Sequence, residues 1–177
     1  MEMGYVKEKF KETKRVWGEW HVGSYRWKAP AGLLDEFIKA LGEKKLLGSL
    51  CTGCGRVYLP PREICGRCFR KIDAKTVVSN FGTLLAFLVS PPIQRGKVRI
   101  AGMDAVEMGW LKEGEEVIIG IVNFDGTSSK MLLPVLNVKP KDVFVGMRVK
   151  AVFAEEPKGT LGDLLGVEPA IQVRYEG

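Results

Sequence analysis

The chemistry in this chain is concentrated in its four cysteines. They fall in two pairs, Cys51-Thr-Gly-Cys54 and Cys65-Gly-Arg-Cys68, with ten residues between them. Two residues between cysteines let both sulfurs of a pair turn toward one point. Two such pairs offer a tetrahedral set of four thiolates, the arrangement Zn²⁺ takes in structural positions. Four soft ligands leave no open coordination position, so the expected ion is structural rather than catalytic. Gly53, Gly55 and Gly66 are expected to supply the positive φ that knuckle turns use. Iron in the same cage would have the same ligand set, so spacing alone leaves zinc and iron both open. Two disulfides would need an oxidising compartment, and a redox Cys-x-x-Cys would come as one pair beside a βαβ pattern; neither fits as well.

Little else in the chain could run acid–base chemistry. His21 is the only histidine, which argues against a histidine-based catalytic triad and leaves it a structural or surface residue. Asp104, Glu107 and Asp125 are carboxylates in the second half, with no pairing evident in the sequence. An enzyme in its own right is the weakest reading of these residues.

The chain has 177 residues, 46% of them hydrophobic, and a net charge of +6. That is a globular composition with room for one ordinary domain or two small ones. No apolar run approaches the ~20 residues that cross a bilayer. The N-terminus does not read as a signal peptide, so a cytoplasmic location is expected. The charge is uneven: residues 56–75 carry 6 basic against 2 acidic groups, while residues 76–177 carry 11 against 12. A basic ribbon suggests an anionic partner, a nucleotide-bearing cofactor or nucleic acid among them, or only a solvated surface.

The elements that would position the cysteines follow from periodicity. Val6, Phe10, Thr13, Trp17 and Trp20 line one face of an amphipathic helix over 4–20, whose aromatics must pack on this chain or on another subunit. Leu33, Leu34, Phe37, Ile38 and Leu41 make a second stripe over 31–42, with Pro30 near its start and Gly42 just past its end. Leu46–Leu50 reads as an extended lead into the first knuckle, and Val57–Leu59 as one strand of a small hairpin that Pro60 and Pro61 stiffen. From Thr76 onward, β-branched runs alternate with Gly, Pro, Asp and Asn. Strands are expected near 80–90, 115–124, 130–138, 147–154 and 169–175, with a further one over 98–108. Asp125-Gly126 should turn a hairpin, and 142–146 should form a turn or short helical link. Five short strands suggest a small closed barrel, and the OB-fold is the expected one. The predicted fold is therefore mainly β with N-terminal helices. A docking or packing arm spans 1–30, a helix plus zinc ribbon 31–75, and an OB-fold barrel 76–177.

This order, with Leu46-Leu47-Gly48, Cys51, Cys54-Gly55, Pro60-Pro61-Arg62, Cys65 and Cys68, and later Gly146-Met147-Arg148-Val149, resembles the acyl-CoA-associated family once catalogued as domain of unknown function thirty-five. The resemblance covers roughly residues 31–175. It implies a rubredoxin-like zinc ribbon followed by an OB-fold. It also implies a non-catalytic accessory subunit of a thiolase-superfamily complex. The partner would be a thiolase paired with hydroxymethylglutaryl-CoA synthase, or a degradative thiolase for sterol side-chain or aromatic succinyl-CoA thioesters. The subunit would help bind and shield a CoA thioester that it shares with its partner in a hetero-oligomer. CoA carries several phosphates, so Arg56, Arg62, Arg67, Arg70 and Lys71 on the ribbon, and Arg95, Lys97 and Arg99 after Pro91-Pro92, are candidate contacts. Residues 1–30 and 91–112 depart from the family pattern and read as specialised docking surfaces. The competing reading is a module that binds single-stranded nucleic acid through the zinc ribbon and OB-fold.

Overall fold

The computed structural model describes residues 32–72, 74–100 and 102–170. The predicted arm over 1–30, with its helix and His21, lies outside the described residues. Helix α1 spans Leu33–Gly42, and its Leu33, Phe37 and Leu41 are buried. Leu34, counted into the predicted stripe, is 44% exposed, which narrows the packed face to one side of the helix. Gly42 is the last helical residue rather than the residue beyond it, and Lys44 takes the left-handed conformation that ends the helix (φ +58°).

Strand β1 (Leu46–Leu50) lies between β2 (Val57–Tyr58) and β3 (Ala74–Val78), antiparallel to both. The pairs Leu46–Val78 and Leu50–Ala74 set the β1–β3 register. Strand β3 runs across the position 75/76, so the segment leading into the barrel is hydrogen-bonded to the ribbon.

The second half is a five-stranded sheet in the order β10-β9-β4-β7-β8. Its strands are β4 (Phe81–Val89), β7 (Ile118–Phe124), β8 (Met131–Pro134), β9 (Arg148–Phe153) and β10 (Leu164–Pro169). A parallel bridge between Val135 and Val167, with the Leu136 N–H donating to the Val167 carbonyl, joins the two edges and closes the sheet. Strand β4 serves two neighbours: residues 81–83 pair with β9, and residues 82–89 pair with β7. An irregularity at Leu85 shifts the β4–β7 register. Such a bulge adds the local twist that closing a small barrel demands. This is the OB-like barrel expected from the strand count.

Four of the five predicted strands form within the described residues. The last described strand is Leu164–Pro169, and the predicted strand over 169–175 lies, beyond residue 170, outside the described residues. The register of Leu164–Pro169 against β9 shifts between Leu164 and Gly166, leaving Leu165 unpaired, which hides the strand from a period-2 reading. The predicted strand at 98–108 is instead two short pieces, β5 (Arg99–Ile100) and β6 (Met103–Asp104). The segment cannot continue as a strand because the Asp104 carboxylate turns back to accept the N–H groups of Gly96, Val106 and Glu107. The 142–146 link is a short 3₁₀ turn at Pro140–Asp142 followed by a turn at Gly146 (φ +92°).

One core runs through both halves. Phe37, Leu41, Leu46, Leu59 and Val78 from the N-terminal half join Leu84, Val122, Phe124, Val149 and Val167 of the barrel in a single buried cluster. Gly120 is tightly packed: a Cβ there would run into the buried Leu84 and Val135 side chains.

Asp163 is the buried charge of the barrel, 2% exposed. It accepts the N–H groups of Lys158, Gly159 and Thr160, and it forms a reciprocal capping box with Thr160. The Lys158 N–H, followed by those of Thr160 and Gly159, holds its carboxyl below the usual aspartate value against the cost of burial. A depressed folded value means its contribution is complete above about pH 4, where the unfolded carboxyl is ionised. That contribution fades as pH falls through the folded value. Asp163→Asn should lower the melting midpoint by about 5 °C at pH 7 and flatten the acid limb of stability; an unchanged acid limb would refute this.

Candidate metal centre

Each cysteine pair sits in a tight turn, and the two turns repeat each other's hydrogen bonds. In the first, the Cys51 N–H donates to the Arg56 carbonyl at 2.8 Å, and the Gly55 N–H donates to the Cys51 carbonyl at 2.8 Å. In the second, the Cys65 N–H donates to the Arg70 carbonyl at 2.9 Å, and the Phe69 N–H donates to the Cys65 carbonyl at 3.0 Å. The residue after each second cysteine takes positive φ: Gly55 at +71° and Phe69 at +57°. Of the three glycines expected to do this, only Gly55 does. Gly53 has no positive φ, and a Cβ there would meet only the outer atoms of the exposed, flexible Arg70 side chain. Gly66 has ordinary φ and lies beside the Tyr58 hydroxyl.

The four sulfurs converge. All lie within 4.8 Å of one another, with Cys51–Cys68 at 3.4 Å and Cys54–Cys65 at 3.5 Å. A disulfide needs about 2.05 Å, and all four cysteines are free. A zinc tetrahedron with Zn–S bonds of about 2.3 Å has sulfur–sulfur edges of about 3.8 Å, so the donor set fits that ion. Cys51 and Cys65 are buried, and Cys54 and Cys68 half-buried. The Tyr58 hydroxyl, then the N–H groups of Cys68 and Arg67, pull the Cys65 thiol down to about 5, outweighing its desolvation. At Cys54 the Arg56 N–H pulls downward, but desolvation and the three neighbouring sulfurs outweigh it and push that thiol up to about 11. Four sulfurs this close cannot all carry charge without a cation among them, and a bound ion would supply that charge.

The candidate anion-binding residues are spread along the ribbon and the insertion. The Arg62 guanidinium lies 5.5 Å from the centroid of the Tyr58 ring, and Arg70 folds over the first knuckle at Gly53. Arg56 and Arg67 flank the cysteines, and Lys71 bridges to Ile64 across the second hairpin. Arg95 pairs with Glu107 at 3.4 Å. Lys97 borders a cleft of about 280 Å³ with Pro91, Pro92 and Ile93, and Arg99 faces Asp104 across the β5–β6 pair. The carboxylates without evident partners in the sequence have them here. Asp104 caps backbone N–H groups, Glu107 pairs with Arg95, and Asp125 receives both terminal nitrogens of Arg148 at 2.9 and 2.6 Å. That last pair explains the Gly-Met-Arg-Val landmark. Gly146 turns the chain, Met147 and Val149 enter the core, and Arg148 ties β9 to Asp125 and Thr83.

Three residues escaped the sequence reading: Tyr58, Ser49 and Ser129. Ser49 is fully buried and accepts the Arg62 N–H through Oγ. A lone hydroxyl in the apolar run Leu46–Leu50 was the available signal.

Residues 39–73 match the model of the ChsH2 rubredoxin-like zinc ribbon domain. A DUF35 domain-containing scaffold protein of Methanocaldococcus jannaschii is 30% identical over 109 residues, covering 61% of this chain and 67% of that protein. The chain belongs to the DUF35 family. Two solved structures share the fold of this DUF35 protein. A DUF35-family protein of unknown function from Sulfolobus solfataricus is 20% identical with a TM-score of 0.54, covering 78% of this chain and 85% of its own. The Ltp2-ChsH2(DUF35) aldolase is 14% identical with a TM-score of 0.54, covering 77% and 93%. The zinc ribbon that the family model matches is followed in this chain by a β-rich half, and its four cysteines are the candidate metal ligands. Among the described residues, no helix is long and apolar enough to cross a membrane.

Proposed function

We propose that this DUF35 protein is a non-catalytic accessory subunit of a thiolase-superfamily complex, and that it grips its partner through the outer face of its barrel. The observation that carries this is the composition of that face. Across β4, β7 and β8, the outward residues form two apolar rows, Leu88–Ile119–Pro134 and Ala86–Ile121–Leu132. Leu88 is 68% and Leu132 69% exposed. Contiguous exposed aliphatic surface of this kind marks an interaction site. An OB-fold that binds nucleic acid uses much the same face, but with stacking aromatics and cationic grooves. These rows contain neither, which disfavours the nucleic-acid reading. Exposed Phe144 and Val145 in the turn before β9, and Ile64 and Phe69 on the second knuckle, offer further apolar contacts.

The chain's own chemistry points to a partner that does the catalysis. Its cysteines are committed to the metal centre, and Asp104, Glu107 and Asp125 to structural bonds. The scaffold name of the M. jannaschii relative supports an accessory role. The partner class comes from the family resemblance, and the acyl-CoA would be shared between the subunits. Arg56, Arg62, Arg67, Arg70, Lys71, Arg95, Lys97 and Arg99 remain the proposed phosphate contacts. An aldolase partner is the second reading, favoured by the Ltp2-ChsH2(DUF35) neighbour.

Affinity purification from the native host should return a thiolase-superfamily enzyme whose acyl transfer rises when this chain is added. The pair Leu88→Asp and Leu132→Asp should weaken that complex at least about thirtyfold, as loss of an interface hot spot does. Both side chains are exposed, so the melting midpoint should stay within a few degrees. A partner thiolase fully active and soluble alone, or capture undiminished by the double substitution, would overturn the proposal. Recovery of an aldolase instead would move it to the second reading.

A further inference from the structure

Tyr58 is placed where a ligand sulfur needs a donor. The side chain is 5% exposed, and its hydroxyl lies 3.3 Å from Cys65 Sγ. A metal-bound thiolate carries no proton, so in that bond the hydroxyl donates. The hydroxyl oxygen also accepts the Gly66 N–H at 3.1 Å, which leaves its own proton free to point at sulfur. The Arg62 guanidinium over the ring draws electron density from the phenol and makes it a better donor. Among the described residues, Tyr58 is the one side chain outside the four cysteines that hydrogen-bonds a ligand sulfur.

The barrel holds Tyr58 from its other side. The Ser128 N–H donates to the Val57 carbonyl at 2.8 Å. Ser129 Oγ accepts the Leu59 N–H at 2.7 Å and donates to the Leu59 carbonyl at 2.8 Å. Both serines lie in the turn between β7 and β8, so that turn fixes the residues on either side of Tyr58.

We propose that Tyr58 is a positioning residue that ties the metal centre to the barrel. Its hydroxyl holds the Cys65 sulfur in the orientation that ligates the ion, and the Ser128–Ser129 turn holds the hydroxyl. Hydrogen-bond partners of metal ligands commonly change metal affinity 10–100-fold when removed.

The test uses the full chain with zinc bound, as wild type, Tyr58→Phe and Ser129→Ala, with folding checked by circular dichroism. Tyr58→Phe keeps the ring in its packing and removes only the hydroxyl. It should release zinc to a chromogenic chelator about tenfold faster or more. In the cobalt-substituted protein its sulfur-to-metal charge-transfer band should move to longer wavelength, because the sulfur lone pairs are no longer stabilised by a donor. Purely structural packing would not move that band. Ser129→Ala, which leaves every ligand and Tyr58 in place, should speed release in the same direction by a smaller factor. Wild-type release and an unshifted band in Tyr58→Phe would overturn the role of the hydroxyl. Wild-type release in Ser129→Ala would overturn the tie to the barrel.

Discussion

Cys65→Ser will strip the metal from this protein and take the ribbon's structure with it. Cys65 is fully buried and receives the Tyr58 hydroxyl and the N–H groups of Arg67 and Cys68. A serine oxygen at that point is a poor zinc ligand and leaves three thiolates without their charge partner. Around the site, the buried cluster of Cys51, Tyr58, Cys65 and Ile72 is too small to hold the hairpins by itself. Binding of a structural zinc is folding free energy in such a module. Metal per chain should fall from about one to near zero, and the melting midpoint should drop by about 10 °C or more. Chelation of the wild type at neutral pH should have the same effect. A Cys65→Ser protein with full metal content and an unchanged melt would refute the site.

Phe37→Ala should be among the most costly apolar substitutions. Phe37 is 2% exposed and lies in the cluster that joins helix α1 and β1 to the barrel. Removing a buried phenylalanine costs about 3–5 kcal/mol, which corresponds to about 10 °C for a chain of this size. Because the core is shared, calorimetry should show one transition moving as a whole. A second transition, with the barrel melting where it did before, would mean the two halves are energetically separate.

Part of this molecule could be read directly from sequence, and the division has physical causes. The metal centre was open to reading because ligand chemistry ties residue type to spacing, and two Cys-x-x-Cys pairs have few other uses. The β4 and β7 strands were open to reading because they are long and their apolar residues recur. Helix α1 was found to within a residue or two, since Phe37 and Leu41 recur at a helical interval. Strand β10 lay outside the expected strands because its register shifts between Leu164 and Gly166, and a one-residue irregularity turns a period-2 pattern into noise. Two of the three knuckle glycines were misassigned because glycine permits positive φ without requiring it. Gly55 takes the left-handed angle and Gly53 and Gly66 do not, a difference of backbone that the sequence does not show. Tyr58 and Ser129 were missed because their bonds reach Cys65 and Leu59, and the second spans 70 residues. Long-range pairings of single polar groups leave no periodic trace. The aliphatic rows were present in the sequence as Leu88, Ile119, Ile121 and Leu132, but only the register shows that they stand side by side and face outward.

The excursion over residues 91–116 begins and ends at one point. Val89 faces Ile118, the Ser90 N–H donates to the Val117 carbonyl, and Ser90 Oγ accepts the Val117 N–H. Its interior is held by its own bonds, such as Asp104 to Gly96 and the Gly114 N–H to the Ile93 carbonyl. A segment clasped at its base in this way behaves as a cartridge. A loop closed at its base can change length at little cost to the strands that flank it, so this segment can vary without any renegotiation of how the barrel folds.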